Sequence, residues 1–230
     1  MTQTTLNGKQ PIVDWFETRH DEYSLTSRRL FNTKLKFLTA DTKDAVRMLD
    51  MSYSNAVISQ QCSVEKHEAG WVHWCQTGDI PEYVVYSNQK TDWLKATNVL
   101  HKYNVVRMLQ SDASRQGIDK AHRYLHDNFV GLGLMKAAFT LAMLGFTSRM
   151  CIDTNVAQVT GIETRGLKKF DSYIDACDEV CQEYDMGLPP FITQWVLFDF
   201  NRGNHSTHEV WFRQMGTWVD NSSGLWRDKF

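Results

Sequence analysis

The stretch GLGLMKAAFTLAMLGFTSRMCIDTNV, residues 131–156, brings together residue types that can do chemistry in concert. Gly131 and Gly133 precede an apolar run, and Asp153 follows it in a Cys-Ile-Asp-Thr-Asn turn. Glycines let a backbone come close to an external group. The unpaired N–H groups at the start of a helix carry partial positive charge, which suits a phosphate. A fixed carboxylate can stabilise a developing cation or orient a water. The same residues also have a purely structural use, since two glycines make a tight bend and Asp153 can cap the helix begun by TNVAQV.

The flanking pattern decides which glycine motif this is. Ile118, Ala121, His122, Leu125 and Phe129 share one helical face before the glycines, and Leu134, Ala137, Ala138, Leu141 and Ala142 share another after them. Gly145 then supplies a stop. A dinucleotide fingerprint needs a strand before its glycines, whereas HRYLHDNFV is charged and helical in period. A phosphate-binding P-loop needs Gly-Lys-Ser/Thr, which is absent here. The spacing predicts two helices joined by a short hairpin, over about 118–145.

Two motifs carry a resemblance. Gly131, Gly133 and Ala137 fit G-x-G-x-x-x-A, with Asp153 opening D-T-N-V beyond the apolar helix. About 70 residues upstream, AVISQQCSV looks like an L-x-Q-Q-x-S-V helix end. In this order the motifs resemble the helix–hairpin–helix DNA glycosylase superfamily, and the resemblance covers roughly residues 45–165. The segment is most similar to a divergent branch associated with viruses whose pyrimidines are chemically modified, some members of which are amino acid:DNA transferases.

The resemblance implies an all-α, two-lobed fold with a central cleft, formed by one domain over 1–230. It implies a DNA glycosylase that rotates a modified base out of double-stranded DNA. Asp153 would be the catalytic carboxylate beside C1′, and the hairpin of Gly131 and Gly133 would hold a phosphate. Gln60 and Gln61 would wedge into the gap, while Asn155 orients the Asp153 turn. No cofactor or metal is expected, and the partner is duplex DNA carrying a modified base, met by a monomer. One departure matters. Strand-cutting members carry a lysine two residues after the second glycine, where this chain has Met135, with Lys136 one step along. One residue is about 100° of helix rotation, so Lys136 is expected to point away from Asp153, contacting DNA without lyase chemistry. Two other functions stay open: amine or amino acid transfer onto an activated pyrimidine, and a non-catalytic DNA-binding module. The setting implied is either host defence against modified viral DNA or viral DNA modification.

The base would need a pocket. The chain has eight tryptophans. Trp71, Trp74, Trp195 and Trp211 are candidates for its aromatic walls, and Asp199 for a polar contact, with core packing as the competing use of each. Arg149, Arg165, Lys168 and Lys169 flank the hairpin–Asp unit and are candidates for phosphate contacts. His205 and His208 lack partners for a metal site.

Composition sets the outer bounds. With 230 residues, 42% hydrophobic and 23% charged, the chain has an ordinary globular make-up. A net charge of −2 excludes binding nucleic acid by bulk positive field and leaves room for a local basic strip. The five cysteines form no CxxC pair, which excludes the iron–sulfur loop of some relatives. Cys177 and Cys181 read as one buried helix face. The N-terminus resembles no secretory signal and no apolar run reaches about 20 residues, so a cytoplasmic, nucleoid-associated chain without a membrane span is expected. YVVYS at 83–87 is the best strand pattern.

Overall fold

In the computed structural model, which describes residues 3–203, the helical expectation holds. Among the described residues there are eleven α-helices, one short 3-10 turn and no strand. They are α1 (Gln3–Glu17), α2 (His20–Thr39), α3 (Thr42–Ile58), α4 (Val64–Thr77), α5 (Ser87–Ala96) and α6 (Val99–Ser111). There follow α7 (Arg115–Asn128), α8 (Leu134–Met143), α9 (Thr154–Thr160), α10 (Phe170–Glu183) and α11 (Pro190–Arg202). No helix among the described residues is long and apolar enough to cross a membrane.

The helices start where side chains can cap them. Asp41 accepts from the Asp44 amide at the head of α3, Ser63 from Lys66 at α4, and Ser114 from Gly117 at α7. YVVYS does not form a strand. It follows Pro81, turns back through Tyr86 at φ 59°, and runs straight into α5. Val84 alone of the central valines is buried, at 1% exposure, so the alternating pattern has no sheet to enter.

α3 is the axis. Its last two turns, Ser52 to Ile58, are buried on every side, and it packs on α2, α4, α5, α6 and α8. α8 packs against it with small residues, Ala137, Ala138 and Ala142, buried along its length, and the Ser52 hydroxyl donates to the Thr140 carbonyl at 2.5 Å. α8 ends at Gly145, whose φ of 89° turns the chain. A Cβ there would lie 2.2 Å from the Leu30 carbonyl oxygen of α2. The two predicted hairpin helices are α7 and α8, with the expected apolar faces buried.

The segment from Thr147 to Asp153 is gripped from two sides. α11 takes one: the Phe191 amide donates to the Thr147 carbonyl at 3.1 Å, and the Gln194 side-chain oxygen accepts from the Cys151 amide at 2.6 Å. Arg149 takes the other, and not as a phosphate ligand. It is 2% exposed, donates twice to Asp119 of α7 at 2.8 and 2.6 Å, and reaches Asp178 of α10 at 3.1 Å. A cation so enclosed is held by its carboxylates and has no face left for DNA. Arg149→Ala is expected to lower stability by about 2–3 kcal/mol, because several charge-assisted hydrogen bonds are lost at once. Urea unfolding monitored by helical circular dichroism measures it.

Candidate functional site

Three helix ends meet at one cleft of 570 Å³. The end of α3 contributes Gln60 and Gln61, the start of α8 contributes Gly133 to Lys136, and the start of α9 contributes Asp153 and Thr154. The 3-10 turn and the residues just after it add Thr164, Leu167 and Lys168, and His126, Ile152 and Tyr173 complete the wall. The structure thus brings together residues from both sequence motifs.

Asp153 is the N-cap of α9. Its Oδ1 accepts from the amides of Asn155 at 2.9 Å and Val156 at 3.0 Å. Asn155 turns its own Oδ1 to Asn201 of α11, 3.1 Å away, so the cap is braced from behind. Burial pushes the Asp153 carboxyl above the ordinary carboxylate range. The Val156 amide, Lys136 and Asn155 oppose that shift without cancelling it. The carboxylate is therefore rigid, poorly solvated and turned toward a space large enough for a small ligand.

Lys136 is placed differently from the sequence expectation. It lines the same cleft as Asp153 and acts on it as a nearby positive charge. Its ammonium donates to the Ser59 hydroxyl at 2.9 Å, and that hydroxyl donates to the Ala56 carbonyl at 2.7 Å. Helix rotation fixes where a Cβ points, whereas a four-carbon chain can lean back across the cleft. Met135 and Lys136 consequently both reach it.

The two hairpin glycines differ in kind. Gly131 has φ 81°, and a Cβ there would lie 2.4 Å from the Trp93 ring. Its carbonyl accepts from the Gln60 side-chain amide at 2.7 Å. Gly133 has the ordinary φ of −81° as N-cap of α8, and a Cβ there would meet nothing within 4 Å. Two histidines of α7 hold this corner. His122 lies 2.7 Å from the Leu134 carbonyl through Nε2, and His126 lies 3.3 Å from the Leu132 carbonyl through Nδ1. Burial lowers the His122 pKa to about 4, so His122 is neutral and donates.

The described residues expected to wall a base pocket are not brought to the cleft. Trp71 and Trp74 are 1% and 7% exposed on the core face of α4, and Trp195 is 2% exposed on α11, in edge contact with Phe191 and Phe198. Asp199 is fully buried and accepts from the Tyr23 hydroxyl at 3.0 Å. None of the four lines the cleft. Trp211, His205 and His208 lie outside the described residues. Lys168 reaches the cleft, whereas Arg165 and Lys169 are exposed outside its lining. Cys177 and Cys181 are free thiols. Cys177 is buried, and Cys181 is half-buried beside the core.

Sequence reasoning passed over His126, Thr164 and Tyr173 in the cleft wall, and Lys90 behind it. His126 sits one helical turn after His122, the spacing that puts both on the face toward the hairpin. Lys90 gave no signal, since a lysine in a polar helix reads as surface.

Asp153→Asn keeps a capping oxygen and removes the charge. A carboxyl whose folded pKa is raised contributes stability that is present below its unfolded pKa and lost as pH rises through the folded one. At neutral pH the variant is therefore expected to melt at or above the wild-type temperature, with the gain vanishing toward about pH 4. Thermal melts across that range would show the reverse, a loss at neutral pH, if Asp153 served only as a cap. Comparison with protein-family models, with curated proteins and with solved structures gives no match.

Proposed function

We propose that the cleft is the active site of a helix–hairpin–helix DNA glycosylase that extrudes and excises a modified base from double-stranded DNA. The observation that carries the reading is convergence. Gln60, Gln61, Gly133, Lys136 and Asp153, far apart in the chain, line one space with the carboxylate inside it.

Each part then has a task. The amides at the start of α8 offer donors to a backbone phosphate, and the open space over Gly133 lets that phosphate come close. Cleaving an N-glycosidic bond builds positive charge on the sugar. A desolvated, fixed carboxylate stabilises that charge more strongly than a hydrated one, and can orient the attacking water. The electrons of the broken bond leave with the base, water supplies the hydroxyl that ends on C1′, and the proton that water gives up ends on the departing base. Lys136 donates to Ser59 and supports the charge of Asp153, so its Nζ is engaged as a brace and is assigned no attack on C1′. The chemistry proposed is therefore hydrolysis without strand cleavage. Among the described residues, Tyr173 is the one aromatic ring besides His126 in the cleft lining, so recognition of the base falls to polar groups such as Lys168 and Thr164 more than to stacking.

The decisive experiment incubates the protein with DNAs carrying uracil, oxidised purines, 5-hydroxymethylpyrimidines or glucosylated 5-hydroxymethylcytosine, and weighs released bases and remaining nucleosides. Release of one base by wild type, reduced by about 100-fold or more in Asp153→Asn, is the expected result. A heavier nucleoside formed from an activated pyrimidine and an amine, with no free base, would replace excision by group transfer. Borohydride added with abasic DNA is expected to trap no adduct. A covalent adduct lost in Lys136→Met would make the enzyme a lyase as well.

The glycines give a separate readout. Gly133→Ala is expected to leave the melting temperature unchanged while weakening duplex binding. Gly131→Ala is expected to cost about 1–3 kcal/mol of stability, because its left-handed backbone and the Trp93 ring both reject a Cβ. Duplex binding by Gly133→Ala equal to wild type would remove the hairpin from the DNA interface.

A further inference from the structure

Helix α5 holds both turns that border the cleft. Lys90, Trp93 and Thr97 lie at steps of three and four along it, and so share a face. Lys90 is 1% exposed, and its ammonium donates to the Ile58 carbonyl at 3.1 Å and the Gln60 carbonyl at 2.5 Å. The Trp93 ring lies beneath Gly131. The Thr97 hydroxyl accepts from the Val130 amide at 3.3 Å, while the Tyr53 hydroxyl, 2.8 Å from Thr97 Oγ1, donates to the Val130 carbonyl at 2.7 Å.

The two turns are also tied to each other. Gln60 donates from its side chain to Gly131 and accepts at its carbonyl from Lys90, so both of its ends are engaged. Gln61 is exposed, with no hydrogen-bond partner for its side chain among the described residues, and stands at φ 54°. Such a backbone is uncommon for a residue other than glycine, and persists where its surroundings hold it on both sides. Gln60 is the strut and Gln61 is the side chain left free to enter a duplex.

We propose that α5 couples duplex anchoring at the hairpin to base extrusion by Gln61, with Lys90 as the positioning residue. The proposal rests on the nucleic-acid reading above. Lys90 touches no DNA. It fixes the Gln60 carbonyl, and through that turn the direction in which Gln61 leaves the protein. Burial lowers the Lys90 pKa, and the Cys62 sulfur 3.7 Å away opposes the shift. A lysine kept at this depth is thus held against its solvation, in direct contact with the turn that carries Gln61.

The test separates anchoring from extrusion. Affinity for an intact duplex reads anchoring. Fluorescence of 2-aminopurine placed beside a tetrahydrofuran abasic analogue in a duplex reads extrusion. Wild type is expected to bind and to raise the fluorescence. Lys90→Met should bind the intact duplex within about twofold of wild type while its fluorescence rise falls at least about fivefold. Gln61→Gly, which suits the positive φ and removes only the side chain, should lose the same rise. The double variant should be no worse than either single one, because both remove the same insertion. Gln60→Met, cutting the strut at its other end, gives the same reading if Lys90→Met does not fold. The proposal fails if Lys90→Met extrudes like wild type, if it loses both signals in parallel, or if the two losses add. Absence of duplex binding by wild type would overturn the nucleic-acid reading itself, and this proposal with it.

Discussion

A helix that ends inside a protein leaves its last carbonyls in need of donors, and the end of α3 is such a case. Ser52 to Ser59 are all buried, so water cannot serve them. The chain answers with side chains: Lys90 of α5 donates to Ile58 and Gln60, and the hydroxyl of Ser59 at the helix's own end donates to Ala56. His67 of α4 pairs with the Asn55 backbone and is fully buried, which lowers its pKa to about 3 and keeps it neutral. The negative pole of α3 thereby gathers two lysines, Lys90 and Lys136, at one place. α8 and α9 begin against the same place with their positive poles. The cleft is where these poles meet, and its electrostatics follow from that meeting more than from any single side chain.

Asp153 belongs to this balance. Two amides of α9 and the nearby Lys136 favour its charge, and burial disfavours it more strongly. The net result is a carboxylate less comfortable than one in water, at the point where three elements leave an open volume. Were Lys136 turned away, as simple helix rotation suggests, burial would go less opposed. Its lean toward Ser59 is the local reason that burial of the Asp153 carboxyl is partly opposed here.

What could be read from the sequence was what repeats or caps. The apolar faces of α7 and α8, the bend between them and the cap at Asp153 all leave periodic or positional traces, and each reappears. The trace fails where a residue's use depends on a distant partner. Trp71 and Trp195 are as suited to stacking on a base as to filling a core, and only the packing of α4 and α11 puts them inside. α1 and α2 lack strong signals: α1 carries Pro11 within it, and α2 starts at Arg19 without a side-chain cap. Lys90 is the sharpest case. Its burial depends on α3 ending beneath it, more than thirty positions back in the chain, which no local window contains.

The hairpin shows how a motif can merge two requirements. The fold demands glycine at 131, where a Cβ would strike Trp93 and the backbone is left-handed. It demands nothing of the kind at 133, where a side chain would stand in open space. Position 153 has the same character. A cap there could be serine, threonine or asparagine, with no charge to desolvate, yet the chain keeps an acid whose ionisation burial opposes. Gly133 and Asp153 are therefore the two positions in this region where the residue present exceeds what folding requires. They face the same cleft, one leaving its backbone bare and the other keeping its charge. The proposed function gives both a use: a bare helix start for a phosphate and, beside it, a desolvated carboxylate for the sugar.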